Sequence, residues 1–226
     1  MKWHNFEITV NRSARKKTMH IVIERDGSIS VQVPNNMENE RICEVLDSKE
    51  YEIHQNLISW RETNLERIER IFVAGQSFLY LGKNYNLHIV NGQKRNLILK
   101  DGKFLLSSLV DYPRECFLKF YKKQAKTKIT ERIAYYAPRL NKQPVKVGVR
   151  DLPTRWASCT PEGNIYFNWK CVMAPLIILD YLIIHELVHL EYPNHSREFW
   201  NRVSTIMPNY EEQREWLRKN GVRLTI

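Results

Sequence analysis

The sequence predicts an α+β protein in two parts: a β-rich module over residues 1–110 with an inserted helix, then a mostly helical half over residues 111–226. Two observations carry this. In the first part apolar and polar residues alternate with a period of two, and the runs meet at Asn-Gly or Asp-Gly pairs, the pattern of half-buried strands joined by tight turns. In the second part long helical runs are separated by two short strand-like stretches.

Phe6, Ile8 and Val10 alternate with polar residues, as do Met19, Ile21 and Ile23. Asp26-Gly27 is a hairpin signal, and Ile29, Val31 and Val33 form the return strand before Pro34. Residues 38–70 contain no Pro or Gly and place Ile42, Val45, Leu46, Ile53, Leu57 and Trp60 at helical spacing; Gly75 lies beyond. Four strands follow over 77–82, 85–90, 96–99 and 103–106, with turns at Asn91-Gly92 and Asp101-Gly102.

Beyond residue 110 the spacing predicts a long helix over 112–140, ended near Pro138. Strands at 145–150 and 164–169 flank a turn at Pro161-Glu162-Gly163. Pro175 is a natural first helical residue, and the run from Leu176 to Ile184 is almost wholly apolar. Pro193 breaks that helix. Asn194 or Ser196 caps the next one, 196–206, and a last helix from Tyr210 to Lys219 closes at Gly221. No internal repeat is visible, and no Pro/Gly/Ser-rich linker marks the boundary near 110.

A chain of 226 residues can bury a substantial core. The N-terminus shows no signal peptide, and the longest apolar run is too short to span a bilayer, so a cytoplasmic protein with no membrane partner is expected. Cys43, Cys116, Cys159 and Cys171 form no C-x-x-C pair and read as free thiols. Much of the formal net charge of +10 sits in one helix, at Arg114, Lys119, Lys122, Lys123, Lys126, Lys128 and Arg132. Such a face attracts phosphate or acidic protein, which makes a nucleotide or nucleic acid a candidate partner of residues 114–132.

The most specific signal is His185-Glu186-Leu187-Val188-His189, followed six positions later by His195. On an α-helix His185 and His189 share one face, a turn apart, so both imidazoles can reach one cation. Pro193 and the following cap place His195 at a helix start, able to turn back as a third ligand. Glu186 lies on the adjacent flank, suited to act on a water beside the cation. Three nitrogen ligands with an open fourth position are the catalytic arrangement for zinc.

These residues, together with Arg155-Trp156-Ala157-Ser158-Cys159, Gly163-Asn164-Ile165, Asn168-Trp169, Asp180-Tyr181, Phe199-Trp200 and Pro208-Asn209-Tyr210, resemble the YgjP-like metal-dependent hydrolases, relatives of the SprT and WLM zinc peptidases. In the first half Arg12-Ser13, Arg15, Gly27, Pro34 and Tyr80-Leu81-Gly82 extend the resemblance. Ala157 stands where that family usually has Gly, tolerable unless the backbone there needs positive φ. The resemblance implies a zincin-like fold, with the HExxH helix beside a small antiparallel sheet. It implies His185, His189 and His195 as zinc ligands and Glu186 as catalytic acid–base. The implied groove-lining edge strand is Asn164–Trp169, to which extended substrate would add. The metzincin pattern wants Gly where this chain has Tyr192 and Pro193.

Three functions follow. The first is a zinc peptidase acting on peptides or unfolded protein, with Tyr192, Tyr210 and Arg155 as candidate oxyanion donors. The second, suggested by the basic helix, Arg155 and some members of the resembling family, is a nucleoside triphosphate pyrophosphatase; no P-loop or carboxylate cluster for Mg²⁺ supports it. The third is a nucleic-acid-associated protease of SprT type.

Overall fold

The computed structural model of the protein describes residues 1–14, 18–24, 27–64, 70–152 and 155–226, with the backbone alone for 59–64. Arg15, Asp26, the Trp60 side chain and the last turn of the helix expected to residue 70 lie outside the described residues. The chain divides into two compact units, Met1–Arg67 and Ile68–Ile226.

In the first unit four strands, β1 (Lys2–Trp3), β2 (Phe6–Ser13), β3 (His20–Ile23) and β4 (Ile29–Pro34), form a sheet in the order β1-β2-β4-β3. β3 and β4 pair antiparallel, whereas β2 and β4 run parallel. The alternation of Ile29, Val31 and Val33 is an inward face: all three are buried with Trp3, Ile8, Ile42, Leu46, Ile53 and Leu57. The single expected helix is two, α1 (Asn39–Ser48) and α2 (Glu50–Asn64), because Lys49 leaves helical geometry at φ −112° and ψ 7°.

The second unit repeats the first sheet's connectivity. β5 (Ser77–Tyr80), β6 (Lys83–Val90), β7 (Leu97–Lys100) and β8 (Lys103–Ser107) are ordered β5-β6-β8-β7, with β6 and β8 parallel and the other pairs antiparallel. The sequence marks this repetition only by an Asp-Gly pair between the third and fourth strands of each set, Asp26-Gly27 and Asp101-Gly102; the pairing order depends on long-range contacts rather than on local pattern. Asp101 and Gly102 both adopt positive φ, as a two-residue type I′ turn requires. The strand expected to reach Gly82 stops at Tyr80, because Leu81 and Gly82 turn at φ 47° and 76°. Their N–H groups donate to the carbonyls of Val172 and Met173 at 2.9 and 3.0 Å.

The boundary expected near 110 falls inside the second unit. The long helix α3 (Pro113–Tyr136) buries Phe117, Tyr121, Ala125, Ile129 and Ile133, one stripe at i, i+4 spacing. Phe117 stacks on Phe78 of β5 with ring centroids 4.2 Å apart, and Phe104 of β8 lies 5.0 Å from it. The sheet of 77–107 thus shares one core with everything that follows, as aromatic burial outweighs chain proximity. No helix among the described residues is long and apolar enough to cross a membrane.

A third sheet comprises β9 (Lys146–Arg150), β10 (Ala157–Cys159) and β11 (Asn164–Asn168), ordered β10-β11-β9. It is mixed rather than antiparallel: β11 runs parallel to β9 and antiparallel to β10. A 3-10 turn, Trp169–Met173, leads to α4 (Leu176–Val188), then α5 (Arg197–Ile206) and α6 (Tyr210–Asn220). Pro175 caps α4 rather than opening it, its carbonyl accepting from the N–H groups of Ile178 and Leu179. Gly221 does not end α6 by a left-handed cap. Its φ is −57°, and its lack of a Cβ matters because one would lie 2.9 Å from the Trp156 ring.

Candidate metal centre

α4 is apolar on all sides and buried nearly throughout, so its direction is set by packing on α3, α5, α6, β10 and the Trp169–Met173 turn. Asp180 is the charged exception within that run. Arg132 of α3 forks onto it, Nε and Nη2 donating to Oδ1 and Oδ2 at 2.6 and 2.9 Å. This bidentate pair fixes α4 against α3 and removes the penalty of a lone buried carboxylate. The helix ends at Val188, five residues before Pro193, and His189 is its C-cap. Ser196, the residue after His195, supplies the next cap: its Oγ accepts the Phe199 N–H, and α5 starts at Arg197.

These terminations bring His185, His189 and His195 together. One ligand atom from each lies within 4.8 Å of the others, and the Nε2 atoms of His185 and His195 are 3.0 Å apart. Phe199 floors the cluster, its ring centroid 4.5 to 4.9 Å from all three imidazoles. Trp200 stacks on His195 at 5.5 Å, and Tyr210 stacks on Trp200 at 5.1 Å. The Nδ1 of His189 donates to the Tyr192 carbonyl at 3.1 Å.

The electrostatics suit a cation. Burial, then His189, His195 and Arg214, push His185 down to about 3. Burial also lowers His189 and His195, so all three rings are neutral and carry lone pairs at physiological pH. Glu186 is buried beside them, and burial raises it to about 8 against the opposing charge of Arg155. Its Oε2 and the His185 Nδ1 are buried with no protein partner among the described residues. Three neutral imidazoles and an unsatisfied carboxylate oxygen are a donor set that fits a divalent metal with a water beside it.

A groove of about 960 Å³ opens on the cluster, lined by Arg155, Ala157, Ser158, Cys159 and Thr160 along one wall and by Glu186 and the three histidines along the other. The wall strand is β10, which pairs with β11 and leaves its other edge unpaired among the described residues. The expected edge strand, Asn164–Trp169, is instead the centre of its sheet. Three residues between an irregular segment and a turn were too short a run to read as a strand. Ala157 needs no positive φ, since it lies in extended backbone.

Of the expected oxyanion donors, Arg155 faces this groove. Tyr192 contributes its carbonyl to His189, and Tyr210 stacks on Trp200 with its hydroxyl donating to Glu211 at 3.4 Å. Arg214, which sequence reading did not single out, brings positive charge to His185 and His195 and lies over Trp200 at 5.4 Å. Its only sequence signal is its place one turn after Tyr210 on α6.

The model of one protein family, described as the YgjP-like metallopeptidase domain, matches residues 17–220. The chain belongs to the YgjP-like metallopeptidase family. No curated protein matches it. Among solved structures, the metallopeptidase zymogen abylysin of Pyrococcus abyssi is similar at 23% identity, covering 48% of this chain and 98% of that one, with a TM-score of 0.34. Family membership implies a divalent metal, and the three-histidine cluster is where the described residues can hold one.

Proposed function

We propose that this YgjP-like protein is a zinc-dependent peptidase, with His185, His189 and His195 holding the metal and Glu186 as general base. The observation that carries the reading is the buried Glu186 Oε2, which has no protein partner among the described residues, beside three neutral imidazoles on a groove walled by β10, whose outer edge is unpaired among those residues.

Zinc, when bound, supplies Lewis acidity and brings the pKa of water at the site toward neutrality. The rest belongs to the chain. An extended polypeptide adds to the outer edge of β10 through backbone hydrogen bonds, which aligns its peptide carbonyls along the groove. Glu186 takes the proton of the attacking water at Oε2 and returns it to the leaving amine. Arg155, on the groove wall, donates to the oxyanion as it forms. Phe199 and the Trp200 stack keep the imidazoles from rotating out of place.

Cleavage of an unfolded polypeptide, followed by the appearance of new amino termini, tests this reading. Release should stop on chelation and return on adding zinc. No release from the zinc-loaded protein, with phosphate released from nucleoside triphosphates instead, would replace it with the phosphohydrolase alternative. Among the described residues no carboxylate cluster accompanies the histidines, so nothing favours that alternative at present.

A further inference from the structure

The basic helix borders a second groove, of about 680 Å³, which shares no lining residue with the groove at the histidines. One side is α3, through Cys116, Lys119, Phe120, Lys123 and Gln124, and the other is residues 95–99 at β7. Leu97, Ile98 and Leu99 are consecutive residues of β7, so their side chains point alternately to the two faces of the pleat. Their joint presence means the groove runs along the edge of β7 rather than over one face of its sheet. β7 is an outer strand, pairing with β8 and with nothing else among the described residues. One row of its backbone N–H and C=O groups is therefore available to another strand.

The groove is apolar below and cationic above. Leu97, Leu99 and Phe120 are half-buried and pack on the main core. Arg95, Lys119 and Lys123 stand around them, and no Asp or Glu lines the groove. Lys119, Lys122, Lys123 and Lys126 fall at i, i+3, i+4 and i+7, so one exposed face of α3 carries four like charges. Among the described residues none of these lysines, nor Arg95, has a carboxylate at ion-pair distance, in contrast to Lys128, which holds Glu131 at 2.7 Å. The repulsion is relieved by an anionic partner.

We propose that this groove binds an extended acidic polypeptide segment as an added strand on β7. Its apolar side chains lie on Leu97, Leu99 and Phe120, and its Asp or Glu side chains reach Lys119, Lys123 and Arg95. A single-stranded nucleic acid fits less well, because it needs open aromatic faces for stacking. The aromatic rings here, Tyr80 and Phe120, meet each other edge to face at 5.7 Å, and the Tyr80 hydroxyl is held by Gln124 at 3.0 Å. The proposal does not depend on peptidase activity.

Fluorescence anisotropy of a labelled ten-residue peptide of alternating Glu and Val, titrated with the full chain, tests it. Binding should weaken at least 10-fold in Lys119→Glu/Lys123→Glu, whose altered side chains are exposed. It should weaken similarly when alternate peptide nitrogens on the pairing edge are methylated, and steeply with added salt. His189→Ala should bind the peptide as wild type does, which separates this surface from the metal centre. Equal binding of a Lys/Val peptide, or an affinity unmoved by the double charge reversal with helix content intact, overturns the proposal. So does tight binding of a single-stranded oligonucleotide with none of the peptide.

Discussion

Tyr192 offers its backbone carbonyl to Nδ1 of His189 at 3.1 Å. A carbonyl can only accept, so Nδ1 carries the proton and Nε2 keeps the lone pair that a metal requires. The contact comes from the turn that follows α4, so the same residues that end the helix select the tautomer of its last histidine. His189→Ala should lower zinc affinity more than 100-fold, beyond the roughly 10–100-fold typical of losing an outer partner. Tyr192→Phe, which keeps the carbonyl, should stay within about 3-fold of wild type. Calorimetric titration with zinc checks both, and tight binding by His189→Ala would remove this residue from the site.

Arg132 and Asp180 form the polar link between α3 and α4, with side chains 24% and 6% exposed. Replacing one partner strands a buried charge, so Arg132→Met should destabilise the protein by about 3 kcal/mol. For a chain of this size that lowers Tm by about 6–12 °C. The double variant Arg132→Met/Asp180→Leu should recover much of the loss. Thermal unfolding of the three proteins measures the effect, and a single variant as stable as wild type would show that packing alone positions α4.

Gly82 turns at φ +76°, and a Cβ there would lie 2.8 Å from the Cα of Pro175, at the head of α4. Gly82→Ala therefore combines left-handed strain, about 1–2 kcal/mol, with a backbone overlap worth about 1–3 kcal/mol more. Gly92 has φ +73° with nothing within 4 Å of such a Cβ. Gly92→Ala should show the strain alone. Denaturant unfolding of the pair isolates the contact, and equal losses would mean that Pro175 moves aside freely.

Cys159 lines the groove at the histidines, yet burial, and then the nearby Glu186, raise its thiol to about 11. The sign is that of a group whose neutral form is favoured: thiolate appears only as pH climbs toward that value. Alkylation by iodoacetamide at pH 8 should be on the order of 100-fold slower than for free cysteine, whose pKa is about 8.5. Mass-spectrometric time courses of the Cys159 peptide from pH 7 to 10 check this. Rapid labelling at pH 7 would contradict it.

Local pattern was readable wherever chemistry or periodicity is short-range. The HExxH spacing, the Ser196 cap and the inward row Ile29, Val31 and Val33 are all local, and the structure places them accordingly. What was hidden depends on distant partners. Phe78, Phe104 and Phe117 come together across some 40 residues of sequence and move the unit boundary from 110 to 67. β10 is three residues long, with too few positions to show a period, and its pairing puts β11 in the middle of the sheet. Trp200 and Arg214 reach the histidines from α5 and α6, in a geometry that no spacing within either helix encodes.

Glu186→Gln separates metal binding from chemistry, because it changes the proposed base and leaves the three histidines untouched. With zinc content matched at one ion per chain in both proteins, the release of new amino termini from an unfolded polypeptide should fall at least 1,000-fold in the variant, about 4 kcal/mol of transition-state stabilisation. Equal rates in the two zinc-loaded proteins would contradict the assignment of Glu186 as the base, and with it the account of this groove as a peptidase site.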